Sequence, residues 1–309
     1  MRIVINGWFW QRMATGTGQY LAALADWLPR VGPEHEIVVV TNEPFETQPT
    51  ARLRFVRART PFDRSNRNVA KLWFEQVTFP SQCRRLNAVV ALVPYWGSPW
   101  WRPCSVIVTI HDLIPLLLPL YRGGPLQRAY THLVSRTARR AAAVLTDSEA
   151  SRRDIIAHLG IGAERVRAIH LAADTRFRPV MDSGELDRVR ARYRLPDGPF
   201  LLYLGGFDVR KNVPGIVQAY ARMVEAPRLV IAGKTPDADS SFTPDPLPLV
   251  RSLGLDDRVL FTGWIDESDK PALYSLAAGA LFISEYEGFG LPVLEAMACG
   301  CPVITSQSN

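Results

Sequence analysis

The sequence predicts an α/β protein built from two doubly wound, parallel-sheet domains. Short β-branched runs alternate with helical stretches from end to end. The runs are apolar throughout rather than alternating, as strands buried on both faces of a parallel sheet must be. The series also restarts part-way, and 309 residues suit two domains better than one.

In the first half, strand-like runs fall at 2–6, 36–40, 88–93, 105–110, 143–146 and 166–170. Between them, helical periodicity fits 19–28, 125–142 and 149–158. Residues 172–198 (AADTRFRPVMDSGELDRVRARYRLPDG) then interrupt the strand series with polar, Pro- and Gly-bearing sequence. Within this stretch, 185–193 reads as a lead-in helix. A second series follows, with strands at 200–205, 228–232, 259–262, 280–283 and 302–305 and helices at 213–224 and 291–298. The expected boundary lies near Ala173, giving domains 1–173 and 174–309. The rhythm is that of βαβ units, hence two Rossmann-like sheets facing a cleft, with ligands at the carboxyl ends of the strands. The chain stops four residues after the last strand-like run, so the second domain is expected to be incomplete at its C-terminus.

Composition is that of a globular protein, 47% apolar and 21% charged. No apolar run approaches a membrane span, and the N-terminus carries no signal-peptide pattern. Cys83, Cys104, Cys299 and Cys301 lack CxxC spacing, so reduced thiols and a cytoplasmic location are expected. The overall charge of +6 divides into +11 over residues 1–180 and −5 beyond them. A basic first half suits an anionic membrane surface, and no nucleic-acid-binding motif accompanies it. Arg52, Arg54, Arg57, Arg59, Arg64 and Arg67 precede Lys71-Leu72-Trp73-Phe74, Cys83-Arg84-Arg85 and Trp96, Trp100 and Trp101. Such interleaving of basic and aromatic residues fits an interfacial surface, and equally an Arg-rich face over core aromatics.

The strongest local signal is SEYEGFGLPVLEAMACG from Ser284 to Gly300. A strand end, a glycine loop and a helix with Pro292 in its first turn bring the N–H groups of Phe289, Gly290 and Leu291 to a helix N-terminus, a ready anion site. Glu287 sits in the loop and Glu295 about one turn into the helix, where both can accept hydrogen bonds from one ligand's hydroxyls. Arg210-Lys211-Asn212 follows another strand end, and two cations there can neutralise a pyrophosphate. Lysine is rare here, Lys71, Lys211, Lys234 and Lys270 being the full set, which favours a specific role for Lys211.

The run from Glu287 to Glu295 resembles the E-x7-E segment of the retaining glycosyltransferases of family 4, the group 1 transferases of GT-B fold. Further segments agree in order along the chain. Thr15-Gly16-Thr17-Gly18-Gln19-Tyr20 resembles the family's N-terminal glycine loop, and His111-Asp112-Leu113-Ile114-Pro115 its HDL(I)P segment. Thr146-Asp147-Ser148-Glu149-Ala150-Ser151 resembles its T-x-S-x-x-S step, and Gly205-Gly206-Phe207-Asp208-Val209-Arg210-Lys211-Asn212 its donor-phosphate loop. The family commonly carries Arg where Gly206 stands, and Arg210 is taken to substitute for it.

The resemblance implies retaining, metal-independent transfer of a hexose from a nucleotide-diphosphate sugar to a glycan or polyprenyl-linked acceptor, as in bacterial surface-polysaccharide assembly. No resident cofactor is implied. Implied catalytic residues are His111, Arg210, Lys211 and Glu287. The donor would also meet Gly16, Thr17, Gly18, Gly263, Trp264, Ile265, Gly288, Phe289, Gly290, Leu291 and Glu295, with Glu287 on the hexose and Glu295 on the ribose. The HDLIPL and RKN variants resemble members that use GDP-mannose. A nucleotide-sugar isomerase of the same architecture, or a nucleotide-sugar-binding protein without turnover, remain the alternative readings. Asp237-Ala238-Asp239 spells the metal-binding DxD pattern but lies in a Pro-, Ser- and Asp-rich loop that reads as solvated surface.

Overall fold

The structure, a computed structural model, describes residues 1–12, 15–45, 50 and 52–307. The last two residues of the C-terminal tail therefore lie outside it. The chain divides into two compact units, Met1–His170 and Leu171–Asn309.

The first unit runs β1 (Arg2–Asn6), α1 (Gly16–Val31), β2 (Glu36–Thr41), β3 (Leu53–Arg57), α2 (Arg67–Trp73), α3 (Phe79–Arg85), β4 (Val90–Val93) and β5 (Ser105–Thr109). It continues through α4 (Ile114–Leu117), α5 (Pro125–Ala138), β6 (Ala143–Thr146), α6 (Glu149–Leu159) and β7 (Val166–Ala168). Its strands form a parallel sheet of order β3-β2-β1-β4-β5-β6-β7. The inner strands are the apolar runs. Ile37, Val38, Val39 and Val40 of β2 are all fully buried, since helices cover both faces of the sheet.

Helix ends are set by side-chain caps. Thr15 accepts from the N–H of Gly18 at α1, Asn66 from those of Asn68 and Val69 at α2, and Ser148 from that of Ser151 at α6. The Thr15 cap starts α1 three residues before the expected position.

Two features of this unit differ from the sequence reading. β3 is an added edge strand whose LRFVR pattern alternates buried and exposed, because its outer side faces solvent. Residues 67–85 form a helical rod, α2 joined to α3 through a π-helical turn at Phe74–Thr78. Within the basic, aromatic stretch for which surface and core readings stood equal, Phe74 is core and Lys71 is engaged internally, while Leu72 and Trp73 are exposed.

The second unit contains α7 (Ser183–Tyr193), β8 (Phe200–Leu204), α8 (Val213–Ala221), β9 (Arg228–Ala232), α9 (Leu247–Ser252), β10 (Val259–Gly263), α10 (Lys270–Leu276), β11 (Gly279–Phe282), α11 (Leu291–Ala298) and β12 (Val303–Thr305). Its strands form a parallel sheet of order β10-β9-β8-β11-β12. Phe200, Leu202, Ala232, Ala280 and Tyr274 pack one face, and Tyr203, Val217, Tyr220, Leu229 and Ile231 the other.

Each sheet reverses its direction of growth once, between β1 and β4 in the first unit and between β8 and β11 in the second. At such a switch point the connections leave on opposite faces and open a crevice at the carboxyl ends of the strands.

Candidate functional site

The second unit's switch point is flanked by the two loops singled out from sequence. The loop after β8 makes a 3₁₀ turn at Val209–Lys211, and the loop after β11 carries Glu285 to Gly290. They are joined at the backbone, the N–H of Glu285 donating to the carbonyl of Arg210 at 2.7 Å. This bond brings together side chains more than seventy residues apart. Arg210 Nη1 donates to Glu287 Oε2 at 2.7 Å and to the Tyr286 carbonyl at 3.1 Å. Lys211 Nζ donates to Glu287 Oε1 at 2.5 Å. Asp208 Oδ1 completes the group, 3.0 Å from Arg210 Nε.

Burial pushes the Glu287 carboxyl up, but the Lys211 and Arg210 charges outweigh it and hold it below the usual carboxylate range. The two cations are thus spaced to hold the two oxygens of one anionic group, here those of Glu287. Gly290, with φ 93°, caps α11 and, having no side chain, supplies no cap bond of its own.

In the first unit, His111 follows β5 and is held on every side. Nδ1 lies 2.6 Å from Asp147 Oδ2, Nε2 lies 3.2 Å from the Pro94 carbonyl, and the Ser151 hydroxyl donates to the His111 carbonyl at 3.0 Å. The Tyr20 ring meets the imidazole edge-on at 5.0 Å. A carbonyl only accepts, so Nε2 must donate, and Nδ1 then also carries its proton toward the carboxylate. Burial alone would lower the His111 pKa, but the bond to Asp147 and its charge raise it above the ordinary value. Acceptors at both ring nitrogens thus shift the balance toward the imidazolium. A raised folded-state pKa contributes stability that is full below the unfolded value of about 6.5 and is lost as pH rises through the folded value. Asp147→Asn is expected to lower the His111 pKa, read by NMR titration of its ring protons. An unmoved titration would refute the pairing.

The family model for glycosyltransferase family 4 matches residues 14–177, just over half the chain. The protein belongs to that family. The model for group 1 glycosyl transferases matches residues 187–309.

Two Escherichia coli relatives are similar over 69% of the chain. The serotype-specific mannosyltransferase WbdA is 33% identical, the match covering 26% of its length. O-antigen chain mannosyltransferase B is 30% identical, with 56% of its length covered. The chain thus spans about a quarter to just over half of these relatives. Among solved structures, sucrose-phosphate synthase from Thermosynechococcus elongatus superposes with a TM-score of 0.74 at 24% identity, over 99% of this chain and 81% of that one. The architecture is the GT-B fold.

The remaining residues that the family resemblance marks are placed as follows. Glu295, on α11, is buried. Burial raises its pKa, Lys270 lowers it and Glu267 raises it. Its charged neighbours therefore differ from those of Glu287. Gly263 ends β10 and Trp264 is 57% exposed, whereas the Ile265 side chain is in the core and leaves only its backbone to a ligand. Gly16 and Thr17 open α1 at the surface, and Gly18 is buried. Gly288, Phe289 and Leu291 lie on the loop and first turn of α11.

Asp237 is exposed and pairs with Lys234, and Asp239 accepts from the N–H of Asp245, so the DxD residues serve their own loop. Among the described residues no group of three His, Cys, Asp or Glu converges as a metal site. Sequence reasoning missed Asp147 and Asp208. Both stand inside quoted motifs, at positions read as spacers.

Proposed function

We propose that the chain transfers a hexose, with mannose favoured and GDP-mannose as donor, to a glycan or polyprenyl-linked acceptor in surface-polysaccharide assembly. The observation that carries this is the Arg210–Lys211–Glu287 cluster at a sheet switch point in a family 4 chain. The mannosyltransferase names of its relatives support the sugar.

In this reading Arg210 and Lys211 take the donor diphosphate and stabilise its growing charge as the C1–O bond breaks. Glu287, displaced from the cations, orients the hexose hydroxyls, and Glu295 takes the ribose. His111 donates to a sugar hydroxyl. Configuration at C1 is retained, with attack on the face the diphosphate leaves. Purified protein given GDP- and UDP-sugars with mannose-bearing acceptors should form a new glycosidic bond, its anomer read by NMR. An isomerised donor without transfer would favour the isomerase reading, and binding without turnover a binding protein.

Two side-chain cations do the work a divalent ion would do on a diphosphate, and the DxD carboxylates are engaged elsewhere. Turnover is therefore expected to survive EDTA, with Asp237→Ala and Asp239→Ala nearly silent. Loss in EDTA that Mn²⁺ restores would overturn metal independence.

The basic first unit is assigned to an anionic membrane surface on the cytoplasmic side. Val69, Leu72, Trp73 and Val77 form an exposed apolar row, and Arg84 and Arg85 follow on α3. Among the described residues no helix is long and apolar enough to cross a membrane. Binding to liposomes should rise with anionic lipid and fall with salt. Equal binding to neutral vesicles, or none, would count against it.

A further inference from the structure

Two of the four cysteines meet at the amino ends of the first unit's strands, the opposite end of the sheet from His111. Cys83 sits in the last turn of α3, and Cys104 stands one residue before β5. Their elements are fastened side by side. The Cys83 carbonyl accepts from the Ala88 N–H at 2.9 Å, just ahead of β4, and Val90 of β4 pairs with Ser105 of β5. Cys83 is 1% exposed in the core, and Cys104, half-buried, packs against that core from its rim. The Cys83 thiol donates to the Cys104 sulfur, so the two side chains already converge as a disulfide requires.

The surroundings give the two thiols different parts. The bond to Cys104, and after it burial, push the Cys83 thiol up, so it keeps its proton. The same bond holds the Cys104 thiol below its ordinary value, against the opposing effect of burial. Cys104 also opens onto a cavity of about 570 Å³, which Trp100, Trp101, Arg102 and Arg140 line with it. Among the described residues no acidic side chain lines that cavity. Arg140 lies over the Trp100 ring at 5.0 Å, and burial and the Arg140 charge both lower the Arg102 pKa. Guanidinium groups favour a thiolate beside them, and a partly exposed thiol in an electropositive setting is the reactive kind. Cys299 and Cys301 make the contrast, both buried and with thiols that burial pushes up to about 11.

We propose that Cys104 and Cys83 form a redox-modification site, in which Cys104 reacts with a hydroperoxide and Cys83 resolves the product to a reversible disulfide. With hydrogen peroxide, the Cys104 thiolate attacks one oxygen and the O–O bond breaks. Cys104 becomes a sulfenic acid, and the departing hydroxide takes up the proton that Cys104 had released. The Cys83 sulfur then attacks the Cys104 sulfur and the S–O bond breaks. The sulfenic oxygen departs as water with the Cys83 proton. The two thiols together lose two electrons, and the peroxide is reduced to two waters. The bond joins the rod of α2 and α3 to the lead-in of β5. In a reducing compartment such a pair is a sensor rather than a permanent staple.

The test treats native protein with a small molar excess of hydrogen peroxide, with circular dichroism confirming that the fold is retained. After alkylation and trypsin digestion, the Cys83 peptide should be found joined to the Cys104 peptide. Two of the four thiols should be lost to titration, and dithiothreitol should restore both. Cys299 and Cys301 should stay free throughout. Cys104→Ser should lose no thiols, whereas Cys83→Ser should stop at a Cys104 sulfenic acid that dimedone captures. Cys104→Ser, a change at the rim, carries the comparison should the core variant Cys83→Ser fail to fold. Wild-type Cys104 left unmodified, or carried on to the sulfinic acid with Cys83 still free, would overturn the site. So would an undiminished loss of thiols in Cys104→Ser.

Discussion

Lys211→Ala is expected to lower kcat/KM by about 100-fold or more, the scale of removing one group that stabilises charge in a transition state. Lys211 is the sharper of the two cations because its ammonium is committed to one spot. It is 16% exposed and pairs with Glu287. Arg210 also meets Asp208 and the Tyr286 carbonyl, so its removal loosens the loop as well as the charge. Arg210→Ala should therefore cost kcat/KM less than Lys211→Ala but stability more. Removing Lys211 also frees the Glu287 carboxyl from one of its two cations, and its pKa should rise toward the ordinary range. Steady-state kinetics of purified Lys211→Ala at wild-type rates would remove this loop from the mechanism.

Gly233→Ala should destabilise the second unit by about 3 kcal/mol or more, through backbone strain and a clash together. Gly233 follows β9 at φ +142°, and a Cβ there would stand 2.0 Å from the Gly205 carbonyl oxygen. Neither side can give way cheaply. The Gly205 N–H is bonded to Ala232 and the Gly233 N–H to Gly263, so three adjacent strand ends are locked by backbone bonds. Gly205 also begins the loop that carries Arg210 and Lys211, so the strain should reach nucleotide affinity as well as the urea midpoint. An unchanged midpoint would show that the strand ends yield more easily than these bonds suggest.

The strands buried on both faces were legible because burial on two sides leaves no room for polar residues. β3 escaped for the converse reason. Arg54 on its exposed side breaks the apolar run, and only buried Leu53 and Phe55 on either side of it mark a strand. The rod from Arg67 to Arg85 escaped because its helical face is irregular. The π-turn shifts the register midway, and Glu75 stands where a core residue belongs.

At the site, Arg210, Lys211 and Glu287 could be named from their loops, since each follows a strand end. Their pairing could not, because it depends on β8 and β11 lying side by side although β9 and β10 intervene in the chain. His111 was visible as a strand-end histidine. That its two nitrogens are committed to Asp147 and Pro94 is a property of three neighbouring strand ends and of no local pattern.

The salt bridge between Glu287 and the two cations bears on how quickly a nucleotide leaves. A pair of bare cations would hold a nucleoside diphosphate tightly and slow each cycle at product release. If the donor diphosphate sits on these cations as proposed, Glu287 would compete for both positions and replace each departing diphosphate as a tethered carboxylate at high effective concentration. The side chain proposed to orient the hexose would then also act as an internal displacing anion. Product inhibition by the free diphosphate should accordingly be far stronger in Glu287→Gln than in the native chain.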